Sequence, residues 1–300
     1  MNQYTITVPL PLPITALQNS KNFFAIIVFV FSLFTSACST LTVVPYHISS
    51  PRIKDKSTVT IVHISDLHST IYGKTQAVLI NAVKKAKPDI IVLTGDIIDD
   101  VRPVTGTLLL LDSLDRDIPI YYVTGNHEYM TGDIDGVRAA LVSRGVIILS
   151  DSFIKKEIRD NSVIIAGIED PYKKLYEDAF YNQKNAMRTA FEALFSETDY
   201  KILLAHRPEN IKDYLEYPFD LILAGHTHGG QVRLPFINGL YAPNQGLFPK
   251  YGGGVYRFGN KTMIVSRGLS VNKLPRIFNP PELIVITVRG AGETGADSTN

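Results

Sequence analysis

From about residue 57 onward, hydrophobic positions along the chain fall into two alternating patterns. Short runs rich in β-branched and aromatic residues, VTIVHIS (59–65), DIIVLTG (89–95) and IPIYYVTG (118–125), end in glycine or serine and read as strands. Between them lies TQAVLINAVKKAK (75–87), apolar at helical spacing and stopped by Pro88, and then TLLLLDSLDR (107–116) of the same kind. Strand-like runs recur at GVIILS (145–150), SVIIAG (162–167), YKILLA (200–205) and DLILAG (220–225), and a long helical stretch (176–197) separates two of them. Strand and helix in alternation predict an α/β domain whose strands are buried on both faces. No repeat or boundary interrupts the pattern, so one domain is expected over 57–290. A separate segment (1–40) precedes it, and a small, polar, disordered tail (291–300) follows. The stretch 235–254 is a loop rich in Pro, Gly and aromatics, long enough to suggest a functional role.

The first segment has its own character. FFAIIVFVFSLF (23–34) is an almost unbroken apolar run, with Lys21 before it and Thr35-Ser36-Ala37-Cys38 after it. Such a run suits a signal-peptide core of about 7–15 residues better than a span of about 20. TSAC is similar to a bacterial lipoprotein box, with Thr35 where a large aliphatic residue is usual. Export or membrane anchoring is the expectation, with cleavage, lipidation at Cys38 and retention all left open. A buried core helix is the competing reading, disfavoured by the polar, Pro-marked flanks. Cys38 is the single cysteine, which excludes an internal disulfide and a thiolate-built zinc site. The net charge of +1 gives no sign of a polyanion partner, so no nucleic acid is expected.

Candidate chemistry follows the apolar runs. The first is followed by Asp66 and His68, the second by Asp96, and the third by Asn126 and His127. YKILLA leads into His206, and DLILAG into His226 and His228. Strand C-termini share one edge of such a sheet, the edge where α/β proteins bind ligands. Asp66, Asp96 and Asn126 are spaced at 30-residue intervals, about one strand–helix–strand unit. In extended backbone, residues two apart point to one side, which would bring Asp66 beside His68 and His226 beside His228. Gly95 and Gly125 are expected to permit sharp turns, and Gly229 and Gly230 to keep one wall of a pocket low. Each motif alone is usually a turn, but five of seven histidines falling at strand ends argues for one site. His63, of opposite strand parity to Asp66, and His47, upstream of the domain, are assigned to structure.

Imidazole, carboxylate and amide donors suit Mn, Fe, Co or Zn better than calcium or a thiolate-seeking ion. Seven donors exceed one tetrahedral site and match two adjacent divalent ions sharing a carboxylate, an arrangement suited to phosphoryl displacement. With only two carboxylates, the loaded site would carry about +2 and favour a phosphate anion. The ordered set SDLH, GDIID, GNHEY, an isolated His206 and GHTHGG resembles the calcineurin-like metallophosphoesterases over roughly 57–290. LLAHRPE, GHTHGGQ with Pro235, SRGLS (266–270) and PPELIVITV (280–288) are most similar to a membrane-associated bacterial subgroup that includes UDP-2,3-diacylglucosamine pyrophosphatases of lipid A synthesis. The resemblance implies a four-layer α/β/β/α sandwich of two mixed sheets flanked by helices. It places Asp66, His68 and His228 on one metal and Asn126, His206 and His226 on the other, with Asp96 bridging. His127 would contact the phosphate and assist the leaving group.

The leading expectation is a phosphoester or pyrophosphate hydrolase with two metal ions, manganese foremost, acting by metal-bridging hydroxide on a lipid-linked nucleotide sugar at a membrane. The 235–254 loop contributes to it with Phe236, Ile237, Leu240, Tyr241, Leu247 and Phe248, which either meet an apolar substrate or pack over the sheet edge. A broad phosphodiesterase or phosphomonoesterase acting on nucleotides or phosphoproteins is the alternative within the class. A non-catalytic, membrane-tethered metal-binding protein is the alternative outside it.

Overall fold

The computed structural model describes residues 40–233, 238–271 and 276–292, together with Phe24. The rest of the apolar run 23–34, Cys38, Pro235, Phe236, Ile237 and residues 293–300 lie outside the described residues. Among those described, no helix is long and apolar enough to cross a membrane.

In chain order the strands are β1 (Thr42–Ser50), β2 (Thr58–Ile64), β3 (Ile90–Thr94), β4 (Ile120–Val123), β5 (Val146–Ile148), β6 (Ser152–Ile158) and β7 (Asn161–Gly167). There follow β8 (Tyr200–Leu204), β9 (Leu221–Ala224), β10 (Tyr241–Ala242), β11 (Gly246–Leu247), β12 (Gly254–Phe258), β13 (Lys261–Val265) and β14 (Glu282–Gly290). One sheet has the order β1-β14-β2-β3-β4-β5 and the other β12-β13-β9-β8-β7-β6, while β10 and β11 form a small hairpin. Both sheets are mixed: β2 to β5 run parallel, β14 runs against β2, and β6 and β12 run against their neighbours.

The near-continuous apolar runs explain the layering. Every residue of β3, β4, β8 and β9 is buried, as strands covered on both faces must be. Ile61, Val92 and Tyr121 from the first sheet share a core with Ile165, Ile202 and Leu223 from the second. On the far side of the first sheet, Val62, Ile91 and Leu93 pack against Leu79, Val83 and Leu110 of helices Ala77–Ala86 and Thr105–Ser113. Helix Gln183–Phe191 covers the second sheet through Met187 and Phe191. The result is helix, sheet, sheet, helix: the expected four layers.

Two features differ from the sequence pattern. The helical stretch 176–197 is broken into a short helix Lys173–Tyr176, a loop, the helix Gln183–Phe191 and a 3-10 turn Glu192–Ser196. The Asn182 side chain accepts the Asn185 N–H, an N-cap that starts a new helix and overrides the apolar spacing. The first sheet also takes in β1, upstream of residue 57, with exposed His47 on it. Because β2, β3, β4, β8 and β9 are parallel within their sheets, their C-terminal ends line one edge. There the His206 Nδ1 reaches across to the Thr94 carbonyl at 2.7 Å, joining the two sheets.

Candidate metal centre

The strands stop just short of the candidate donors, and the backbone there turns left-handed. Asp66, His68, Asp96, His226 and His228 have φ of 50, 46, 51, 70 and 48°. The extended-backbone argument for pairing residues two apart is therefore corrected: Asp66 and His68, like His226 and His228, converge through αL turns beyond β2 and β9. Positive φ at a non-glycine residue costs on the order of 1–3 kcal/mol and persists only where the surroundings enforce it. Here the Asp66 N–H donates to the Gly95 carbonyl (3.1 Å) and the His68 N–H to the Asp96 carbonyl (2.9 Å), lacing the loops after β2 and β3 together.

All eight predicted residues meet at this edge. Asp96 Oδ2 lies 3.2 Å from His206 Nε2 and 3.7 Å from His68 Nε2. Asp66 Oδ1 is 3.6 Å from His228 Nε2, and His206 Nε2 is 3.1 Å from His226 Nδ1. The donor atoms form three groups among the described residues, each within 4.8 Å: Asp66, His68, Asp96 and His228; Asp96, His206 and His226; and His68, His127 and Asp99, with Asp96 shared by the first two. Asn126 and His127 line the same small cavity. His68 Nε2 and Asn126 Oδ1 are buried without a hydrogen-bond partner, a costly state for lone-pair donors unless something electrophilic is bound.

A surrounding layer fixes which ring nitrogen faces the cluster. His68 Nδ1 is 3.1 Å from Asp99 Oδ2, and His228 Nδ1 is 3.0 Å from Ser270 Oγ. With His206 Nδ1 held by Thr94, all three rings turn Nε2 inward, the arrangement seen for metal-bound imidazoles. His226 is reversed: Nδ1 faces inward and Nε2 meets the Asn244 amide at 2.9 Å. If Nδ1 offers its lone pair, Nε2–H requires Asn244 to present its oxygen, an amide orientation that the hydrogen-bond network decides. His127 Nδ1 is 2.6 Å from Asp100 Oδ1, and its backbone N–H donates to Asp96 Oδ1 at 2.8 Å. Glu128 accepts from the backbone N–H groups of Asp96, Ile97, Ile98 and Gly125 at 2.7–3.0 Å, tying the loops after β3 and β4 into one unit.

Sequence reasoning did not single out Asp99, Asp100, Glu128, Ser270 or Asn244. Asp99 and Glu128 lie inside the GDIID and GNHEY strings, and Glu128 sits three residues after Gly125, the spacing of a capping box. Asn244 carries no such signal.

Electrostatics complete the donor set. Burial disfavours a charged His206, but the Asp96 carboxylate beside it outweighs burial and pushes its pKa up to about 10. Burial also acts to raise Asp96, yet His206 holds its carboxyl well below the usual range. Burial drives His226 and His228 well below the ordinary imidazole value, aided by the neighbouring His206 and His68 respectively. Burial opposes a charged His68 too, but the hydrogen bond to Asp99 and the carboxylates of Asp96 and Asp66 raise its pKa. His68 and His206 must therefore give up a proton to bind a cation, while His226 and His228 are already neutral. Imidazoles, carboxylates and one amide oxygen form a set that fits borderline divalent metals. His63 plays no part: it is fully buried, bonded through Nε2 to Thr94 Oγ1 at 2.7 Å, and kept neutral by burial.

The glycines act differently from expectation at two places. Gly125 is extended, and its role is close approach: a Cβ there would lie 2.2 Å from Asp96 Oδ1. At Gly229 and Gly230 the missing side chain permits close packing against protein, with Cβ positions 2.1 Å from Asn279 Oδ1 and 2.5 Å from the Gly239 Cα.

Fold and donor set together define a class, the metal-dependent hydrolases of phosphate esters. Residues 59–230 match the family model described as calcineurin-like phosphoesterase, and the chain belongs to that family. It is 31% identical over 236 residues to the metallophosphoesterase YkuE of Bacillus subtilis, covering 76% of this chain and 78% of the relative. A metallophosphoesterase of Aquifex aeolicus is 27% identical over 265 residues, 84% of this chain and 93% of that one. A bovine "transmembrane protein with metallophosphoesterase domain" is 30% identical over 244 residues, covering 75% of this chain and 54% of that protein. Among solved structures, the NAD nucleotidase NadN of Haemophilus influenzae aligns with a TM-score of 0.51 at 18% identity, over 72% of this chain and 46% of its own, a likeness of fold.

Proposed function

We propose that the chain hydrolyses a phosphodiester or pyrophosphate bond in an amphiphilic substrate at a membrane, with UDP-2,3-diacylglucosamine as the substrate to test first. The observation that carries the metal-dependent part is the pair of buried, unpartnered donor atoms, His68 Nε2 and Asn126 Oδ1, beside Asp96. In this reading Asp66, His68 and His228 hold one ion, Asn126, His206 and His226 hold the other, and Asp96 serves both. Two divalent ions, manganese foremost, would supply the Lewis acidity that activates water and neutralises phosphoryl oxygens.

The chain's own groups do the rest. Asp100 fixes the His127 ring through Nδ1, leaving Nε2 of this half-buried ring at the cavity to hold a proton for the departing oxygen. Arg207 lines the same cavity. Its guanidinium is held by Asp170 at 2.6 and 3.1 Å and stacked over the Tyr172 ring, positioned to orient a phosphate. The cavity measures about 120 Å³, well below the roughly 300–1,000 Å³ that encloses a drug-sized ligand. That volume supports a reading in which the phosphate enters and the remainder lies along the exposed rim. The apolar run 23–34 supports the membrane setting.

The test is turnover by purified protein with Mn²⁺ on UDP-2,3-diacylglucosamine and on an aryl phosphodiester. Hydrolysis of both, lost in Asp96→Asn, is expected. Turnover of the aryl ester alone removes the lipid substrate and leaves a broad phosphodiesterase. A protein that binds metal and hydrolyses neither refutes the catalytic reading.

A further inference from the structure

The chain enters the domain beside the metal edge. β14 runs against β2, with Ile284 opposite His63, so its first residue, Glu282, lies level with the exit of β2. The Glu282 N–H donates to Gly268 (3.2 Å), and the neighbouring Leu269 N–H donates to the Ser65 and Asp66 carbonyls (3.1 and 3.2 Å). β1 is parallel to β14, with Thr42 opposite Glu282 and its N–H on the Pro281 carbonyl at 2.9 Å. Thr42 is therefore two strand spacings, about 10 Å, from the residues that open the metal site. The apolar run ends at Phe34, and the seven residues 35–41 reach at most about 25 Å.

The same edge carries the hairpin of β10 and β11. The Leu240 N–H donates to the Gly230 and Val232 carbonyls, and the Phe248 N–H to the Leu240 carbonyl, which seats the hairpin against the segment that follows His228. Its turn residue Asn244 touches His226. Its outer side chains are bare: Tyr241 is 52% exposed, Leu247 68% and Phe248 61%. Val101, two residues after the Asp99 that orients His68, is 85% exposed. The hairpin turn lines the cavity through Pro243 and Asn244. Single exposed apolar residues are ordinary, but three on one hairpin whose turn lines a polar cavity, on the edge where the chain enters the domain, are not.

We propose that this metal edge is the face the protein lays on a phospholipid bilayer, with Tyr241, Leu247 and Phe248 dipping into the headgroup and acyl boundary and residues 23–34 holding the domain in that orientation. The inference rests on the membrane reading above and adds which surface meets the lipid. Aromatic and aliphatic side chains presented together suit that interface. A phosphate ester at headgroup depth would then sit opposite the cavity without leaving the membrane.

The sequence contains no tryptophan, so one introduced indole reports alone. Phe248→Trp and Leu247→Trp place it on the hairpin. Phe195→Trp, at a 59% exposed position on the 3-10 turn leading into the start of β8, places it on the opposite edge. Full-length proteins are mixed with vesicles of phosphatidylethanolamine and phosphatidylglycerol whose acyl chains carry bromine, and binding is scored by sedimentation. The expected result is blue-shifted, bromine-quenched emission from both hairpin variants and unchanged emission from Phe195→Trp. Vesicle-bound protein with equal quenching at all three positions, or none at any, overturns the orientation alone. Failure of the full chain to bind vesicles overturns the membrane reading and this inference with it, and leaves the hydrolase reading standing.

Discussion

At the scale of single residues, the metal edge is built from side chains whose backbones sit in an unfavourable conformation and whose rings are aimed by partners. Five candidate donors share positive φ, and four imidazoles are oriented by Asp99, Thr94, Asn244 and Ser270. Partners of this kind typically contribute 10–100-fold in metal affinity. Asp99→Asn should therefore lower Mn²⁺ affinity by about that factor, with the unfolding midpoint of the metal-free protein nearly unchanged, read by calorimetric titration and thermal melting. An unchanged affinity would show that His68 is aimed by packing alone. The donors were legible because imidazole and carboxylate residues recur after apolar runs. Their left-handed backbone was not, since an aspartate or histidine in αL carries no mark that distinguishes it from one in a strand. Asn244 was hidden for another reason: it reaches His226 from 18 positions away through a hairpin fold that spacing does not encode.

Among elements, most strands that the sequence marks are central, with β5 at an edge the exception, while β1, β6 and β12 at the other sheet edges escape it. β1 carries Pro45 and alternates exposed with half-buried residues, and β6 reads SFIKKEI with three charges in succession. Charge and proline guard edges against unwanted pairing, and they also dilute the apolar signal by which a strand is found. β13 was also missed, although most of it is buried, because it opens with Lys261 and Thr262 and leaves only residues 263–265 as an apolar run. Where two loops must act together, one carboxylate organises them: Glu128 gathers four backbone N–H groups from the turns after β3 and β4. Each buried donor left unsatisfied costs about 1–3 kcal/mol. Glu128→Ala should thus destabilise the protein by several kcal/mol in denaturant unfolding, with Glu128→Gln intermediate because it keeps one acceptor oxygen. A loss below about 1 kcal/mol would show that water replaces the carboxylate there.

For the molecule as a whole, two sheets pressed together bury His63 in neutral form, with its pKa lowered by burial to about 3 from an ordinary 6.5. Because the folded value lies below the unfolded one, the unfolded chain takes up the proton first. Stability is complete above about pH 6.5 and is lost as pH falls toward 3. His63→Leu should flatten the fall in stability between those limits relative to the parent, as followed by urea unfolding across pH. An identical slope would show that other groups, such as the Asp66–Asp96 pair, carry the whole dependence. At this scale alternation of strand and helix revealed the α/β class and the edge that holds the site, while the four-layer arrangement was legible only through the family resemblance of the motifs. The sequence did not reveal that the chain enters at that edge, a consequence of β1 pairing with the last strand. The central claim is that Asp96 stands between two metal ions. Anomalous diffraction from crystals grown with Mn²⁺ tests it most directly. The account predicts two peaks about 3.5–4 Å apart, one beside Asp66, His68 and His228 and the other beside Asn126, His206 and His226, with Asp96 touching both. A single peak at full occupancy, or a pair that leaves Asp96 uncoordinated, would contradict it.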